Sequence, residues 1–357
     1  MRIEALTFLR FVAAIIVVFF HFGKKTELAS YAQQFILSGP MMVTFFFVLS
    51  GFVMMVAHYN KNKETLRNYY MARIARIVPV YMLGLFLSFY LYFNQGGNDV
   101  ISLLLSITFL QSWFPPYSLS LNGPAWSLSV EAFFYLAFPF ILFAVKKSCI
   151  SCKKFTILSL VFYLFSQAIL SNLLNVKFYN GFPSISHDLI YYFPLSHSCS
   201  FVLGVSGGYI YAKHTQFFNK TGFLPIIVLI LTFFVTCLTL QNSRALSGIV
   251  GFPLAYGSSF YSLLFILLIL SVAYSKSIIT SFMSMPFLVL LGESSYALYI
   301  LQKPLYTIYH KYIARHFELS LDGHFYFFIF LHILTSILVF YLIERPCKKM
   351  ILNANRC

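Results

Sequence analysis

Residues 6–22, LTFLRFVAAIIVVFFHF, form an apolar run of the length a helix needs to cross a bilayer. Runs like it recur down the chain between short polar stretches, and that recurrence limits the fold more than any other feature. Inside lipid every backbone amide must find its partner within the protein, so long apolar runs of this kind have to be helices. Composition agrees: 59% of the 357 residues are hydrophobic and 10% are charged, whereas a soluble domain carries about 25% charged residues. The mean hydropathy is +0.79. The expected fold is all-α, a polytopic transmembrane helical bundle. No linker marks off a sizeable soluble part, so residues 1–357 read as one membrane domain. The first run lacks a small-residue cleavage site and is followed by further spans, so it is read as retained rather than as a signal peptide.

Lysines and arginines in the loops set the orientation. The densest basic cluster, Lys61, Lys63, Arg67, Arg73 and Arg76, follows the second run. Placing it in the cytoplasm places the N-terminus there too. Spans are then expected near residues 6–22, 39–58, 77–93, 127–145, 155–174, 189–213, 223–240, 252–274, 286–309 and 325–343. Residues 100–125 are different. Their apolar part is short, and PPYSLSLNGPAW then breaks regular structure. A full span here would put the lysines of the following KKSCISCKK on the outer side. A re-entrant segment keeps them inside and leaves about ten spans, with both termini cytoplasmic. Irregular backbone at membrane depth must be buried in protein or line a cavity, so a cavity is expected at residues 100–125. The net charge of +15 is read first as this inside bias and not as nucleic-acid binding, with part of the surplus available to an anionic cytoplasmic ligand. Cys149 and Cys152 form a lone CxxC with no second pair, so the cysteines read as reduced thiols and no metal site is expected.

Against this apolar background a few polar residues stand out. Arg10 and His21 lie eleven positions apart in the first span, nearly on one face and roughly 16 Å apart along the axis. Ionisable residues inside spans face a protein interior or a wet cavity. His21 suits general-base work on a hydroxyl, or serves as a hydrogen-bonded interior histidine. Arg73 and Arg76, in ARIAR, share a helix face. Such guanidinium pairs suit phosphate, or they snorkel and only set topology. In NGPAWSLSVEAFFY, Glu131 lies one turn after Ser127 and close to Trp126, with Arg10 and His21 as candidate partners. GESSYALYILQKP carries Glu293 and a polar stripe of Ser295, Tyr299, Gln302 and, beyond it, Tyr306. The last motif, IERPCKK, reads as an interfacial anchor, with Pro346 ending the helix after Glu344 and Arg345.

Taken together, Arg10 with His21, FFFVLSGFVM at residues 45–54, the RxxR pair, NGPAWSLSVEAFFY, GESSYALYILQKP and the terminal ERP resemble the acyltransferase-3 family of integral membrane acyltransferases. That family O-acetylates bacterial surface polysaccharides, and its marks cover nearly the whole chain in order. The resemblance implies an acyl-CoA donor, acetyl-CoA in the simplest case, bound from the cytoplasm of a bacterial inner membrane. It implies an acceptor sugar hydroxyl at the outer face, a catalytic His21, and donor contacts from Arg73 and Arg76. By the same resemblance the stand-alone membrane form is expected. One departure is Gln302, where family members often carry a histidine; no proton transfer is assigned to it. The expected roles are then His21 as base, Glu131 orienting or charging it, and Arg10 balancing Glu131 or guiding the donor's pantetheine arm. Trp126, Ser127, Tyr299 and Gln302 are expected on the substrate. His187, Asp188 and His197 form a further acceptor-side candidate. The rival reading is a transporter or flippase of lipid-linked glycans using the same charges. Such folds show inverted repeats and paired broken helices, and only one broken segment is visible here.

Overall fold

A computed structural model describes residues 3–354 except 62–64, 95, 98, 148–149, 215–222 and 256. Among the described residues all regular structure is helical. Six helical stretches are long and apolar enough to cross a membrane: Glu4–Phe22, Gly39–His58, Leu66–Phe93, Gly123–Lys147, Cys152–Asn175 and Leu321–Ala354. The chain is therefore a helical membrane protein. Ile226–Gln241 and Ser262–Tyr274 are shorter apolar helices. In chain order the helices are α1 (Glu4–Phe22), α2 (Glu27–Leu37), α3 (Gly39–His58), α4 (Leu66–Phe93), α5 (Val100–Ile107), α6 (Trp126–Lys147), α7 (Cys152–Asn175) and α8 (Ile185–Tyr191). They continue as α9 (Ser198–His214), α10 (Phe223–Gln241), α11 (Ser243–Val250), α12 (Ser262–Tyr274), α13 (Ile278–Met283), α14 (Pro286–Ile308), α15 (Leu321–Val339) and α16 (Arg345–Ala354).

Several boundaries differ from the sequence expectation for identifiable reasons. The third span begins eleven residues early: Thr65 caps α4 by accepting from the Asn68 N–H at 3.2 Å, so Arg73 and Arg76 ride on the helix itself. The expected span at 189–213 breaks into α8, a 3-10 turn Pro194–His197 and α9, because Pro194 has no N–H to continue a helix. The expected span at 252–274 is helical only from Ser262. Pro346 does not end the last helix. The helical stretch Leu321–Ala354 runs through it, with a π-turn, Phe340–Glu344, just ahead of the proline, whose missing N–H takes one bond out of the ladder. Cys149 of the CxxC lies outside the described residues; Cys152 is buried with a free thiol.

Residues 100–125 hold the irregular backbone. α5 rises only about 12 Å, too little to cross a bilayer, and three 3-10 turns follow it. Tyr81 donates to the Ser106 carbonyl at 2.7 Å, the Gln111 amide to the Ala125 carbonyl at 3.1 Å, and the Asn122 amide to the Ile300 carbonyl at 2.9 Å. Gln111, Ser112, Ser118 and Asn122 are all buried. These four polar side chains thus lie inside protein, where irregular backbone within an apolar surround needs its partners.

Helix α1 lies against both α3 and α14. A Cβ on Gly292 would meet the Thr7 carbonyl, and the Phe22 ring stacks on Tyr306 at 4.0 Å, so α1 and α14 run side by side in the same direction. The most extensive helix pair is α3 with α9, where backbones touch. A Cβ on Gly204 would meet the Val48 carbonyl oxygen, with the Phe52 nitrogen 3.1 Å away. Gly204 and Gly208 form the small-xxx-small spacing that permits such approach in lipid. Backbone cannot yield as a side chain can. Gly204→Leu is expected to cost on the order of 1–3 kcal/mol or more, read as a lower melting point by size-exclusion after heating in detergent. An unchanged melting point would show that the two backbones are not in contact.

Candidate active site

Six of the nine site residues expected from the sequence line one cavity of about 350 Å³ among α1, α3, α4, α6, α14 and the C-terminal segment. Arg10, Arg73, Arg76, Glu131, Ser127 and Tyr299 all line it. Chain direction orders these groups along the bundle. Arg73 and Arg76, early in α4, lie toward the end where α1 begins. Ser127, early in α6, and Tyr299, midway along α14, lie toward the other end.

At the charged end, Glu131 accepts a short hydrogen bond from the Tyr135 hydroxyl and a long one, 3.5 Å, from Ser50. The Tyr69 hydroxyl donates to the Tyr135 carbonyl at 2.9 Å. The Arg73 guanidinium lies over both rings, 5.9 Å from the Tyr69 centroid and 5.7 Å from that of Tyr135. Arg10 and Arg76 both feel the charges of Glu131 and Glu344. Glu131 thus belongs with Arg10 and Arg76, and His21 is not among its partners.

Four cations, Arg10, Arg73, Arg76 and Lys348, meet three carboxylates, Glu131, Glu293 and Glu344, a formal surplus of one positive charge. Two buried atoms there, Arg73 Nε and Glu344 Oε2, have no hydrogen-bond partner among the described residues. A buried polar atom without a partner costs about 1–3 kcal/mol. A cationic pocket holding an unspent guanidinium donor is chemically suited to an anionic ligand, phosphate above all.

Toward the other end the lining reaches Ser127 and Tyr299 and stops there. The Tyr299 and Ser127 hydroxyls lie 2.9 Å apart, Tyr299 also donates to the Pro124 carbonyl at 3.2 Å, and Phe46 packs on the Tyr299 ring at 5.8 Å. His21 does not line the cavity; it is exposed in the last turn of α1. Lys24 and Lys303 are the charged groups that bear on it, and Lys303 Nζ is fixed by the Leu121 carbonyl at 2.9 Å. Tyr299 precedes Tyr306, the partner of Phe22, by two turns, so the end of the lining stands about 10 Å short of His21.

The sequence match decides the family. It runs over residues 3–345 against the acyltransferase domain Acyl_transf_3. This chain is a member of that acyltransferase family. It is 29% identical over 159 residues to an acyltransferase of Streptomyces mycarofaciens, named MdmB, covering 41% of each chain. It is 24% identical over 377 residues to a Staphylococcus aureus protein named "Putative O-acetyltransferase", covering 97% of this chain and 57% of that one. The acyltransferase-family chain thus spans between two fifths and three fifths of the length of these relatives. No solved structure matches it.

The remaining expected residues sit outside the family member's cavity. Trp126 packs on Tyr192 at 5.0 Å and His197 at 5.2 Å. Gln302 is fully buried: its amide donates to the Tyr299 carbonyl at 2.8 Å, and its Oε1 has no partner among the described residues. His197 is buried too and bonds the Tyr191 carbonyl at 3.0 Å, while His187 pairs with the Tyr179 hydroxyl at 3.2 Å. Ser50, Tyr135, Tyr296, Glu344 and Lys348 line the cavity without having been assigned to a site from sequence. One signal was available: Glu344 and Lys348 are four apart, so ERPCKK could place two charges on one helix face. Among the described residues no group of three or more His, Cys, Asp or Glu side chains could hold a metal ion.

Proposed function

We propose that this family member transfers an acyl group, most simply acetyl, from acyl-CoA to a sugar hydroxyl of a surface polysaccharide or lipid-linked glycan. Its setting is the bacterial cytoplasmic membrane, with both termini inside and residues 100–125 re-entrant. The observation that carries the reading is the cavity with surplus positive charge at the end where α1 begins. On the positive-inside bias that end faces the cytoplasm, where acyl-CoA is found.

In this reading Arg73 and Arg76 hold the donor's phosphates. The pantetheine arm passes Arg10 and Glu131 toward Ser127 and Tyr299. Glu131, tethered by Tyr135, supplies countercharge on the donor side. The acceptor comes to His21 at the other end. His21 takes the hydroxyl proton as the oxygen attacks the thioester carbonyl. The C–S bond breaks, and the CoA thiolate leaves and takes up that proton. A thioester is already activated, so positioning and a base are the main requirements. The Tyr299–Ser127 contact has to part for the thioester to reach the imidazole, because the cavity lining stops there.

The test is purified protein in detergent given acetyl-labelled CoA and glycan from the host surface. Saturable donor binding and transfer of label to the glycan are expected. Absence of saturable binding at millimolar donor would refute the reading.

A further inference from the structure

We infer that Lys348, on the C-terminal helix, is a third cation of the donor's phosphate site and that α16 forms one lip of its mouth. This rests on the reading of the cavity as a donor site and adds a residue which that reading does not require. The family match stops at residue 345, short of Lys348.

Geometry carries the assignment. The π-turn Phe340–Glu344 widens one turn of the helix and directs both Phe340 and Glu344 at the cavity. Lys348 lies four residues after Glu344, on the same face, and lines the same cavity. The helix that carries it packs along α4, which bears Arg73 and Arg76. The charges of Arg76, Glu344, Arg73 and Glu293 all bear on Lys348. The carboxylates offset the repulsion among the cations in part, and the cavity as a whole keeps a surplus of one positive charge for an anionic ligand. Glu344 is the carboxylate of this segment, and its Oε2 is buried without a hydrogen-bond partner among the described residues. Arg73 Nε likewise has none among them. A ligand with several phosphate oxygens satisfies the guanidinium donor and offsets the surplus charge. Arginines grip such oxygens as planar forks, and a lysine adds a point charge beside them. Lys349, the next residue, does not line the cavity and offers a control of equal charge.

The experiment compares Lys348→Gln, Lys348→Arg and Lys349→Gln as purified full chains in detergent, by equilibrium binding of labelled acetyl-CoA. Each is first shown to elute as wild type on size exclusion. Lys348→Gln is expected to weaken binding about tenfold and to lessen its dependence on salt, as loss of one charge-assisted contact should. Lys348→Arg should stay within about threefold of wild type, and Lys349→Gln within about twofold, on the same scale of contact energies. Wild-type affinity in Lys348→Gln, or an equal loss in Lys349→Gln, overturns the inference and leaves the donor site standing. Failure of wild type itself to bind acetyl-CoA removes both.

Discussion

Alanine in place of His21 is expected to lower acyl transfer by about 10²–10⁴-fold, the range that a positioned general base contributes. Donor binding should not change, because His21 does not line the cavity that holds the phosphate-binding arginines. Protein level in the membrane should not change either. The side chain is exposed at a helix end and its removal leaves no void in the core. His21→Gln keeps hydrogen-bonding capacity and loses the titratable nitrogen, so it should be as inactive as alanine. That pattern, normal binding with transfer lost in both variants, distinguishes a base from a packing residue. Transfer within a few-fold of wild type would remove His21 from the chemistry. The base would then be sought inside the cavity, where Glu131 is held by Tyr135.

Much of the bundle could be read from the chain because apolar run length and helix length are the same physical quantity in lipid. Residues 6–22 and 39–58 were expected as spans, and α1 and α3 occupy nearly those bounds. The early start of α4 was hidden because residues 66–76 are polar enough to resemble a loop, and only the Thr65 cap reveals the helix. The gathering of Arg10, Arg73, Arg76 and Glu131 was foreshadowed by the cost of charge in an apolar setting, which forces such groups toward one another. Sequence spacing could not show where the cavity stops. That depends on Tyr299 meeting Ser127, residues 172 positions apart. The four-residue spacing of Glu344 and Lys348 puts them on one helix face, but which way that face points could not be read, since the π-turn ending at Glu344 shifts the helical phase and leaves no mark in the periodicity. Gln302, which stands where a titratable residue was to be expected by resemblance, bonds only its own helix among the described contacts.

Replacing both Arg73 and Arg76 with glutamine is expected to weaken acetyl-CoA binding by more than about 100-fold, with each single change near tenfold, since a hydrogen bond to a charged group contributes about 1.5–3 kcal/mol. The two sites share the cavity and both charges act on Lys348, so the double effect should exceed either single effect without being their strict sum. Arg73→Lys should recover only part of the loss. A lysine keeps the charge but not the planar fork, and it forfeits the contact with the Tyr69 and Tyr135 rings. Binding by wild type should fall with rising salt, and the double variant should show a flatter dependence. The same arginines count toward the inside bias, so orientation has to be checked alongside. Lys61, Arg67, Lys146 and Lys147 remain on that side and should hold it. An impermeant thiol label on a cysteine introduced at Lys153 reports this: protection in both proteins shows common orientation. Unchanged affinity in a correctly oriented double variant would separate the RxxR pair from the donor. The surplus charge of the cavity would then rest on Arg10 and Lys348, which stand on different helices, α1 and α16, and offer no pair of guanidinium forks on one helix face to order a pyrophosphate.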